Sequence, residues 1–315
     1  MQDLISQPKI SIITPSFNQA QYLEETILSV LNQDYPALEF FIFDGGSTDG
    51  SVEIIKKYEA WITYWESKPD RGQSHAINKG FQMASGEIVV WLNSDDLLAP
   101  GALTTVAQAW QQNPGVGLIS GQTEIIDASG QPTGKLFGSE PNVVNSLLSS
   151  DNRVSQPSTF FSASAMRYVG FLDETLHMSM DWDIWLRIGA HYPMLFLPKV
   201  LSKSRNWEMT KTKTQLVRSG PEHIRIVKNF CKQNPDFLTS FQKRQALGSG
   251  YLRKGKLDHA AGKWLLFRLD LLAAVYYGTK PKQRADLILF RRAFPVFYFF
   301  KRAFSFLSRK IAAAG

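Results

Sequence analysis

The sequence predicts an α/β fold in which a mostly parallel β-sheet is flanked by helices. Over residues 9–96, short runs of β-branched and aromatic residues alternate with stretches whose apolar residues recur at helical spacing. Strands that alternate with helices of about 10–15 residues indicate βαβ units, whose strands are parallel. A hydrophobic fraction of 44% with 20% charged residues is that of a folded globular protein.

The elements can be assigned in order along the chain. Residues 9–15, "KISIITP", form the first strand, and the helix after it ends before Pro36. Three further strands, each preceded by a helix or loop, are predicted at "LEFFIFD", "ITYWES" and "EIVVWL". The later segments predict a helix after Gly101, strands at "GVGLISGQTEIID" and "KLFG", a helix–loop–helix at residues 166–192, an edge strand or strand pair at residues 193–206 and a polar loop at residues 207–215.

From about Pro221 the pattern becomes helical throughout. We therefore predict two regions: an α/β domain over residues 1–218 and a helical C-terminal region over residues 219–315 that ends in a basic amphipathic segment.

Cysteine usage and the termini restrict the class of protein. Cys231 is the only cysteine, which excludes internal disulfides and a cysteine-built zinc site and suits a reducing compartment. The N-terminus has no basic region followed by a long apolar run, and no uninterrupted apolar stretch reaches about 18 residues. We expect a cytoplasmic protein without a spanning helix.

The positive charge is concentrated at the C-terminus. The chain carries a formal +7, and residues 279–315 hold nine Lys or Arg against one acid, Asp286, which gives +8 for that stretch and −1 for the remainder. The body is therefore almost neutral, which argues against a nucleic-acid partner and for a basic C-terminal surface.

Three polar loops follow three of the predicted strands. They are "TPSFN", "DGGSTDG" and "NSDD". In parallel sheets ligands bind outside the carboxyl ends of the strands, so these loops are expected to converge on one edge and to form a site. The alternative for "NSDD" is a turn or a helix cap, since these residue types favour both.

The motifs together resemble the large family-2 group of inverting glycosyltransferases with the GT-A fold, of the bacterial surface-polysaccharide type. The resemblance covers roughly residues 9–215 and rests on motifs in the family's order: "SIITPSFNQAQYLEETILSVLNQDYP", "FIFDGGSTDGS", "PDRGQSHAINKG", "GEIVVWLNSDD" and "MDWDIWLR". It implies a metal-dependent, hexosyltransferase-type enzyme of polysaccharide biosynthesis. Such an enzyme moves a sugar from a UDP- or dTDP-linked donor to a hydroxyl of a glycan or lipid-linked acceptor.

The resemblance implies a divalent cation, Mn²⁺ or Mg²⁺, at the end of the fourth strand. A hard cation with oxygen ligands holds the donor diphosphate and neutralises it on cleavage. Asp95 would face the cation with Asp96 beside it, and Ser94 would contact the donor. Asn93 stands where the family usually has an aspartate, but its amide can bond a ribose hydroxyl. Family members often carry Arg-x-His near this point, whereas Arg205 is followed by Asn206 and Trp207, so a histidine ligand is absent there.

The donor contacts are also implied by the resemblance. Asp44 with Pro15, Ser16 and Asn18 would hold the nucleobase and ribose, Asp44 accepting from a uracil-type N–H. The alternative for Asp44 is an Asp-Gly turn, and we expect Asp49 to cap the next helix.

Further residues of these motifs would line the donor. The segment "PDRGQSHAINKG" supplies Asp70, Arg71, Asn78 and Lys79, whose cations suit phosphate oxygens. Lys211 would close over the diphosphate when the donor binds, the alternative being a flexible basic loop.

One carboxylate at the head of a helix would act as the base. An inverting transfer is a single displacement, so a base must take the proton of the attacking hydroxyl. Asp181 matches the family's base position. Asp183, two residues on, points elsewhere on a helix and is expected to be a cap or a structural partner of Arg187. Trp182 and Trp185 can stack on a sugar or belong to the core, and the core is favoured.

The C-terminal segment carries an aromatic stripe at spacings of 4, 3, 3, 4, 3 and 4: Phe290, Phe294, Phe297, Phe300, Phe304, Leu307 and Ile311. Aromatic residues on one helix face and Lys or Arg on another are typical of a helix in a membrane interface. We expect peripheral binding at the inner face of the plasma membrane; the alternative is that the stripe packs on the body or on a second subunit.

Three other functions remain open on the sequence. A sugar nucleotidyltransferase would need a glycine-rich basic signature near the first strand, and "TPSFNQAQ" has neither glycine nor lysine. A catalytically weak or inactive relative that binds nucleotide or glycan is compatible with Asn93. A membrane scaffold would leave the acids of the body unexplained.

Overall fold

A computed structural model describes residues 7–279 and 284–293 of the chain. These residues contain nine strands: β1 (Ile10–Ser16), β2 (Leu38–Asp44), β3 (Tyr64–Ser67), β4 (Ile88–Trp91), β5 (Leu97–Leu98), β6 (Leu118–Ile126), β7 (Pro132–Phe137), β8 (Thr159–Ser162) and β9 (Met194–Arg205). The helices of the same residues are α1 (Ala20–Leu31), α2 (Ser51–Lys57), α3 (Gln73–Met83), α4 (Ala102–Gln112), α5 (Val143–Ser149), α6 (Ala163–Val169), α7 (Met180–Gly189), α8 (Lys211–Gln215), α9 (Ser219–Gln233), α10 (Ser240–Ala260), α11 (Trp264–Tyr276) and α12 (Arg284–Ala293).

The strands form one mixed sheet in the order β3–β2–β1–β4–β8–β6–β9–β5, with β7 paired to β6. The first four strands are mutually parallel, as the alternating pattern predicts. β8 runs antiparallel to both β4 and β6. The predicted α/β class with flanking helices is confirmed.

The two central strands of the parallel half of the sheet, β1 and β4, are buried on both faces. Every residue of β1 and β4 is buried, as expected for strands that are covered by helices above and below. On one face α3 approaches β1 closely: a Cβ added at Gly80 would lie 2.5 Å from the Ile13 side chain. Glycine at this position therefore fixes α3 against the sheet and with it the residues at the N-terminus of the helix.

The chain divides into two compact units. The first comprises residues 1–146 and 151–214, and the second residues 147–150 and 215–315. Residues 147–150 and 215–218, which the sequence analysis assigned to the α/β domain, thus belong to the second unit. In that unit Lys254 lies between Asp258 and Asp270, 2.7 Å from a carboxylate oxygen of each.

Two polar segments contain elements that their composition did not predict. α5 lies within the polar stretch 139–161 and β8 begins in it, and α8 lies within the predicted polar loop 207–215. The helix cap also differs from the prediction. Gly50 is the N-cap of α2, whereas Asp49 accepts hydrogen bonds from Ser51 N at 3.1 Å and from Ala20 N at 2.9 Å. Asp49 therefore joins the N-termini of α1 and α2.

The aromatic stripe of the C-terminal segment lies outside the described residues, apart from Phe290 in α12. Among the helices of residues 7–279 and 284–293, none is long and apolar enough to cross a bilayer.

His223 gives the second unit a specific acid sensitivity. The side chain is 3% exposed and its Nδ1 lies 2.9 Å from Ser150 Oγ. Burial, with Arg253 nearby, lowers the pKa of His223 to about 3, against about 6.5 in an unfolded chain. Below pH 6.5, His223 is therefore protonated in the unfolded state and stays neutral in the folded state. This difference lowers the free energy of unfolding by about 2 kcal/mol at pH 5.

This acid sensitivity can be measured as a difference between two proteins. Urea unfolding at pH 7.5 and pH 5 should show a larger loss of stability for the natural chain than for His223→Asn, by about 2 kcal/mol. Equal losses in the two proteins would show that His223 does not titrate as the structure implies.

Candidate active site

The carboxyl ends of β1, β2 and β4 lie side by side and bring the three predicted loops to one edge. Ser16 at the end of β1 is paired in register with Asp44 at the end of β2. On the other side, Leu92 N donates to Ile13 O at 2.9 Å as the chain leaves β4. The predicted convergence of the loops is confirmed.

The loops after β1 and β2 are bonded to each other. Asn18 has a positive φ of 51°, and its Oδ1 accepts from Thr48 N at 3.0 Å while its backbone N donates to Ser47 Oγ at 2.7 Å. Pro15 and Ser16 are buried at the strand end. The predicted donor residues of the first loop therefore stand beside the second.

Asp44 organises the loop that follows it. Its carboxylate accepts from Gly46 N at 3.1 Å, Ser47 N at 2.8 Å and Ser67 Oγ at 2.6 Å. The Asp-Gly turn that the sequence offered as an alternative is thus present. Asp44 is 2% exposed. A contact with a nucleobase would therefore use a carboxylate lone pair that these hydrogen bonds leave available.

Asp95 and Asp96 differ in their surroundings. Asp96 is buried and accepts from Asn93 Nδ2 at 3.1 Å and from Arg205 N at 3.2 Å. Asp95 is less buried, and its Oδ2 accepts from the indole N–H of Trp207 at 3.1 Å. Asp95 is consequently the carboxylate that a ligand reaches more readily, and Ser94 between Asn93 and Asp95 is buried.

Burial and mutual repulsion disfavour two negative charges at this pair. Desolvation, followed by the charge of Asp95, raises the pKa of Asp96 to about 7. Desolvation also raises the pKa of Asp95, and the nearby Arg205 opposes that rise only in part. The Arg205 guanidinium is shared with Glu25 at 2.6 Å and with Ala128 O at 3.1 Å.

The pair fits a hard divalent cation. A bound cation would offset the cost of burying negative charge at the two carboxylates. Both side chains also offer the oxygen ligands that Mg²⁺ and Mn²⁺ prefer. Within residues 7–279 and 284–293, no group of three or more His, Cys, Asp or Glu side chains is arranged to hold a metal ion. The remaining ligands would therefore be water and phosphate oxygens, as is usual for Mg²⁺ at phosphate sites.

Two glutamines that the sequence analysis missed connect the site. Gln73 Nε2 donates to Asn93 Oδ1 at 2.8 Å, and Gln73 Oε1 accepts from Lys211 Nζ at 2.9 Å. On the other side, Asn93 Nδ2 donates to Gln156 Oε1 at 2.9 Å, and Gln156 Nε2 donates to Trp91 O at 2.7 Å. This chain of amides fixes Asn93 and brings Lys211 to the edge of the sheet.

The four residues predicted along the donor have different partners. Asp70 accepts from Gly72 N at 2.7 Å and lies against Gly45, where an added Cβ would be 3.2 Å from its carboxylate. Arg71 is exposed and pairs with Glu174 at 2.8 Å.

The other two lie on α3. Lys79 pairs with Glu66 and lies 5.3 Å from the centre of the Phe43 ring. Asn78 is buried, donates to Leu172 O at 2.9 Å and accepts from Leu172 N at 3.0 Å. The Asn78 amide thus bonds the backbone of Leu172 through both its nitrogen and its oxygen, and a contact with the donor would use its second N–H or second lone pair.

Asp181 stands in the first turn of α7 and is oriented by a residue that the sequence analysis missed. Asn152 Nδ2 donates to Asp181 Oδ2 at 2.7 Å. Asn152 Oδ1 in turn accepts from Trp185 Nε1 at 3.0 Å and from Val154 N at 3.2 Å. Trp185 and Val154 thus fix the Asn152 amide, which in turn holds one oxygen of Asp181.

The neighbours of Asp181 have structural roles. Trp182 and Trp185 are 0% and 2% exposed, which confirms that they belong to the core. Asp183 pairs with Arg187 at 2.8 Å, as predicted from the spacing.

Asn152→Ala is expected to lower the turnover number by about tenfold without weakening donor binding, because the carboxylate of Asp181 loses the bond that orients it. Steady-state kinetics with calorimetric donor binding would check this result. Asn145→Ala, a change of the same type in α5, serves as the control. Unchanged turnover in Asn152→Ala would exclude a positioning role.

Comparison with known proteins identifies the family of the chain. A family model described as "Glycosyl transferase family 2" matches residues 11–171. An uncharacterized glycosyltransferase of Mycobacterium tuberculosis is 30% identical over 190 residues, which is 58% of this chain and 70% of that protein.

Solved structures share the fold. Staphylococcus aureus TarS in complex with UDP-GlcNAc has a TM-score of 0.64 at 16% identity, over 85% of this chain and 81% of that one. The mannosyltransferase PcManGT of Pyrobaculum calidifontis, in complex with GDP-Man and Mn²⁺, has a TM-score of 0.57 at 19% identity, over 98% and 86%. Because this family model matches half of the chain, the chain belongs to glycosyltransferase family 2.

Proposed function

We propose that the chain catalyses the inverting transfer of a sugar from a UDP- or dTDP-linked donor to a hydroxyl of a glycan or lipid-linked acceptor. The observation that carries this proposal is that one unit contains both a buried pair of carboxylates and a separate carboxylate at a helix N-terminus. Asp95 and Asp96 form a pair that burial and repulsion make receptive to a cation. Asp181 stands apart from the pair in sequence, at a helix N-terminus, and is held by Asn152.

The donor is proposed to bind along the edge formed by β1, β2 and β4. Asp44 and the loop of Pro15, Ser16 and Asn18 would take the nucleobase and ribose, with Asp70 beside them. The ligands named for the solved relatives, UDP-GlcNAc and GDP-Man, are both nucleoside diphosphate sugars and support this donor class.

The diphosphate is proposed to meet the cation and the basic residues. Asp95, with Asp96 behind it, would hold Mn²⁺ or Mg²⁺, which would neutralise the diphosphate as it leaves. The Mn²⁺ named for the mannosyltransferase supports this choice. Lys211, already bonded to Gln73, would reach a phosphate oxygen, whereas Arg71 and Lys79 would first have to leave Glu174 and Glu66.

Asp181 is proposed to act as the base. Its carboxylate would take the proton of the acceptor hydroxyl while the hydroxyl oxygen bonds to the anomeric carbon and the bond from that carbon to the diphosphate breaks. Because this is one displacement, the configuration at the anomeric carbon inverts.

The anomeric outcome tests the mechanism directly. Incubation with a panel of UDP- and dTDP-sugars and Mn²⁺, without acceptor, should release a sugar slowly by attack of water. Proton NMR of the first product should show the configuration opposite to that in the donor. Retention would overturn the inverting mechanism. Donor binding without any cleavage, including in the presence of cell-derived acceptors, would instead support the inactive relative that Asn93 left open.

A further inference from the structure

The outward side of α11 is apolar along its whole length. Phe267, Asp270, Leu271 and Ala274 are buried on the side that packs on α10. On the opposite side, large apolar side chains are between 44% and 72% exposed: Trp264, Leu265, Leu266, Leu269, Leu272, Val275 and Tyr276. At 100° per residue they cover about 200° of the helix surface. We call these seven residues the α11 face.

An exposed apolar face of this size indicates an interaction site. A surface helix normally carries polar residues opposite its buried stripe, and contiguous apolar patches on soluble proteins mark interaction sites. Two charged residues occur within α11. Asp270 is buried and bonded to Lys254 at 2.7 Å, whereas Arg268 is exposed among the apolar residues. Lys263, directly before the helix, is exposed as well.

The exposed charges within and directly before α11 are therefore both positive, although Lys263 also lies 4.0 Å from the buried Asp258. The sequence that follows continues the trend, since residues 280–310 hold nine Lys or Arg and a single acid, Asp286. Asp286 is itself buried and paired with Lys256 at 2.6 Å. The partner of the face should accordingly be apolar in its interior and anionic at its surface.

The two ends of the face carry the aromatic residues that membrane interfaces favour. Trp264 opens α11 and Tyr276 closes it, about 18 Å apart at 1.5 Å per residue. Both side chains combine an apolar ring with a polar group and are enriched at the boundary between lipid headgroups and acyl chains.

We propose that the α11 face docks on an anionic lipid bilayer, with the helix axis in the plane of the membrane. The apolar side chains would enter the boundary of headgroups and acyl chains, and Lys263 and Arg268 would meet anionic headgroups. A second copy of the chain fits less well, because two such faces would bring like-charged segments together. The proposal does not depend on sugar transfer and stands or fails separately from it.

Lipid-embedded quenchers test this docking on the full chain. Trp61 and Trp264 are both exposed, at 64% and 50%, so each is a control for the other. Vesicles of phosphatidylglycerol and brominated phosphatidylcholine should quench tryptophan fluorescence at low salt. The quenching should disappear in Trp264→Phe and persist in Trp61→Phe. Equal quenching in the two variants, or none in the natural chain, would overturn the proposal.

A second pair of variants measures the contribution of the face to binding. Leu265→Gln/Leu269→Gln replaces two residues that are 71% and 53% exposed, and glutamine keeps the helix propensity. Vesicle partitioning should fall by about tenfold or more. Met83→Gln/Leu136→Gln, at 46% and 55% exposure, should partition like the natural chain. If the α11 variant binds vesicles as well as the natural chain does, the proposal is overturned. If the variant is a monomer in the absence of lipid while the natural chain is a dimer, the partner of the face is a second copy of the chain.

Discussion

Asp181→Asn should lower the turnover number of sugar transfer by about 10²–10⁴-fold and leave donor affinity almost unchanged. The amide cannot accept the proton of the attacking hydroxyl, whereas it can still accept the hydrogen bond from Asn152 that holds Asp181 in place. The proposed binding site for the nucleotide is formed by other residues, so calorimetric titration with UDP should give similar affinities for the two proteins. The loss should appear in the rate at which nucleoside diphosphate is released in the presence of acceptor.

Asp183→Asn provides the matched control two residues away on the same helix. Its carboxylate pairs with Arg187 at 2.8 Å, and both side chains are mostly buried. The change should therefore cost about 1–3 kcal/mol of the free energy of unfolding and leave the turnover number of the folded enzyme close to natural. Similar losses of turnover in the two variants would assign Asp181 a structural role, and full activity in Asp181→Asn would move the base elsewhere.

Asp95→Asn should remove the dependence of nucleotide binding on the cation. Asp95 carries the more accessible of the two carboxylates, and one of its oxygens accepts a hydrogen bond from Trp207. Its loss leaves Asp96, whose two oxygens are already bonded to Asn93 and to the backbone of Arg205. We expect the affinity for Mn²⁺ in the presence of UDP to fall by about tenfold or more.

The spectrum of free Mn²⁺ measures this effect without reference to catalysis. Electron paramagnetic resonance should show Mn²⁺ bound by the natural protein with UDP and free with Asp95→Asn. Asp173→Asn, which alters a carboxylate bonded to Thr175 in its own loop, should bind Mn²⁺ normally. If Asp95→Asn retains Mn²⁺, the cation is held by other groups, and "NSDD" serves as the turn that its residue types also favour.

The sheet edge was predictable because its determinants are local. Strand–helix alternation implies parallel strands, and parallel strands place the loops after β1, β2 and β4 together. The ion pair of Asp183 and Arg187 was predictable for the same reason, since it spans one helical turn.

The residues that support the site were not predictable, because their partners are distant in sequence. Gln73 and Gln156 reach Asn93 across 20 and 63 residues, and Asn152 reaches Asp181 across 29. Neutral amides also carry no pattern that marks them in a sequence. Asn78 shows the converse, since its position in a family motif suggested a donor contact but its amide bonds Leu172, 94 residues away.

The α11 face illustrates another gap between pattern and structure. A helix that is apolar all round gives no indication of which side packs on the protein. Only the structure shows that Phe267 and Leu271 face α10 while Leu265 and Leu269 face outward.

Calorimetric titration of the natural protein with UDP, with and without Mn²⁺, is the most direct test of the central claim. We predict binding that is at least about tenfold tighter with Mn²⁺, because the cation would join the diphosphate to Asp95 and Asp96. Tight binding that is indifferent to Mn²⁺ would contradict the cation site and leave a donor site without it. No binding of UDP, or of dTDP in its place, would contradict the assignment of the strand edge as the donor site.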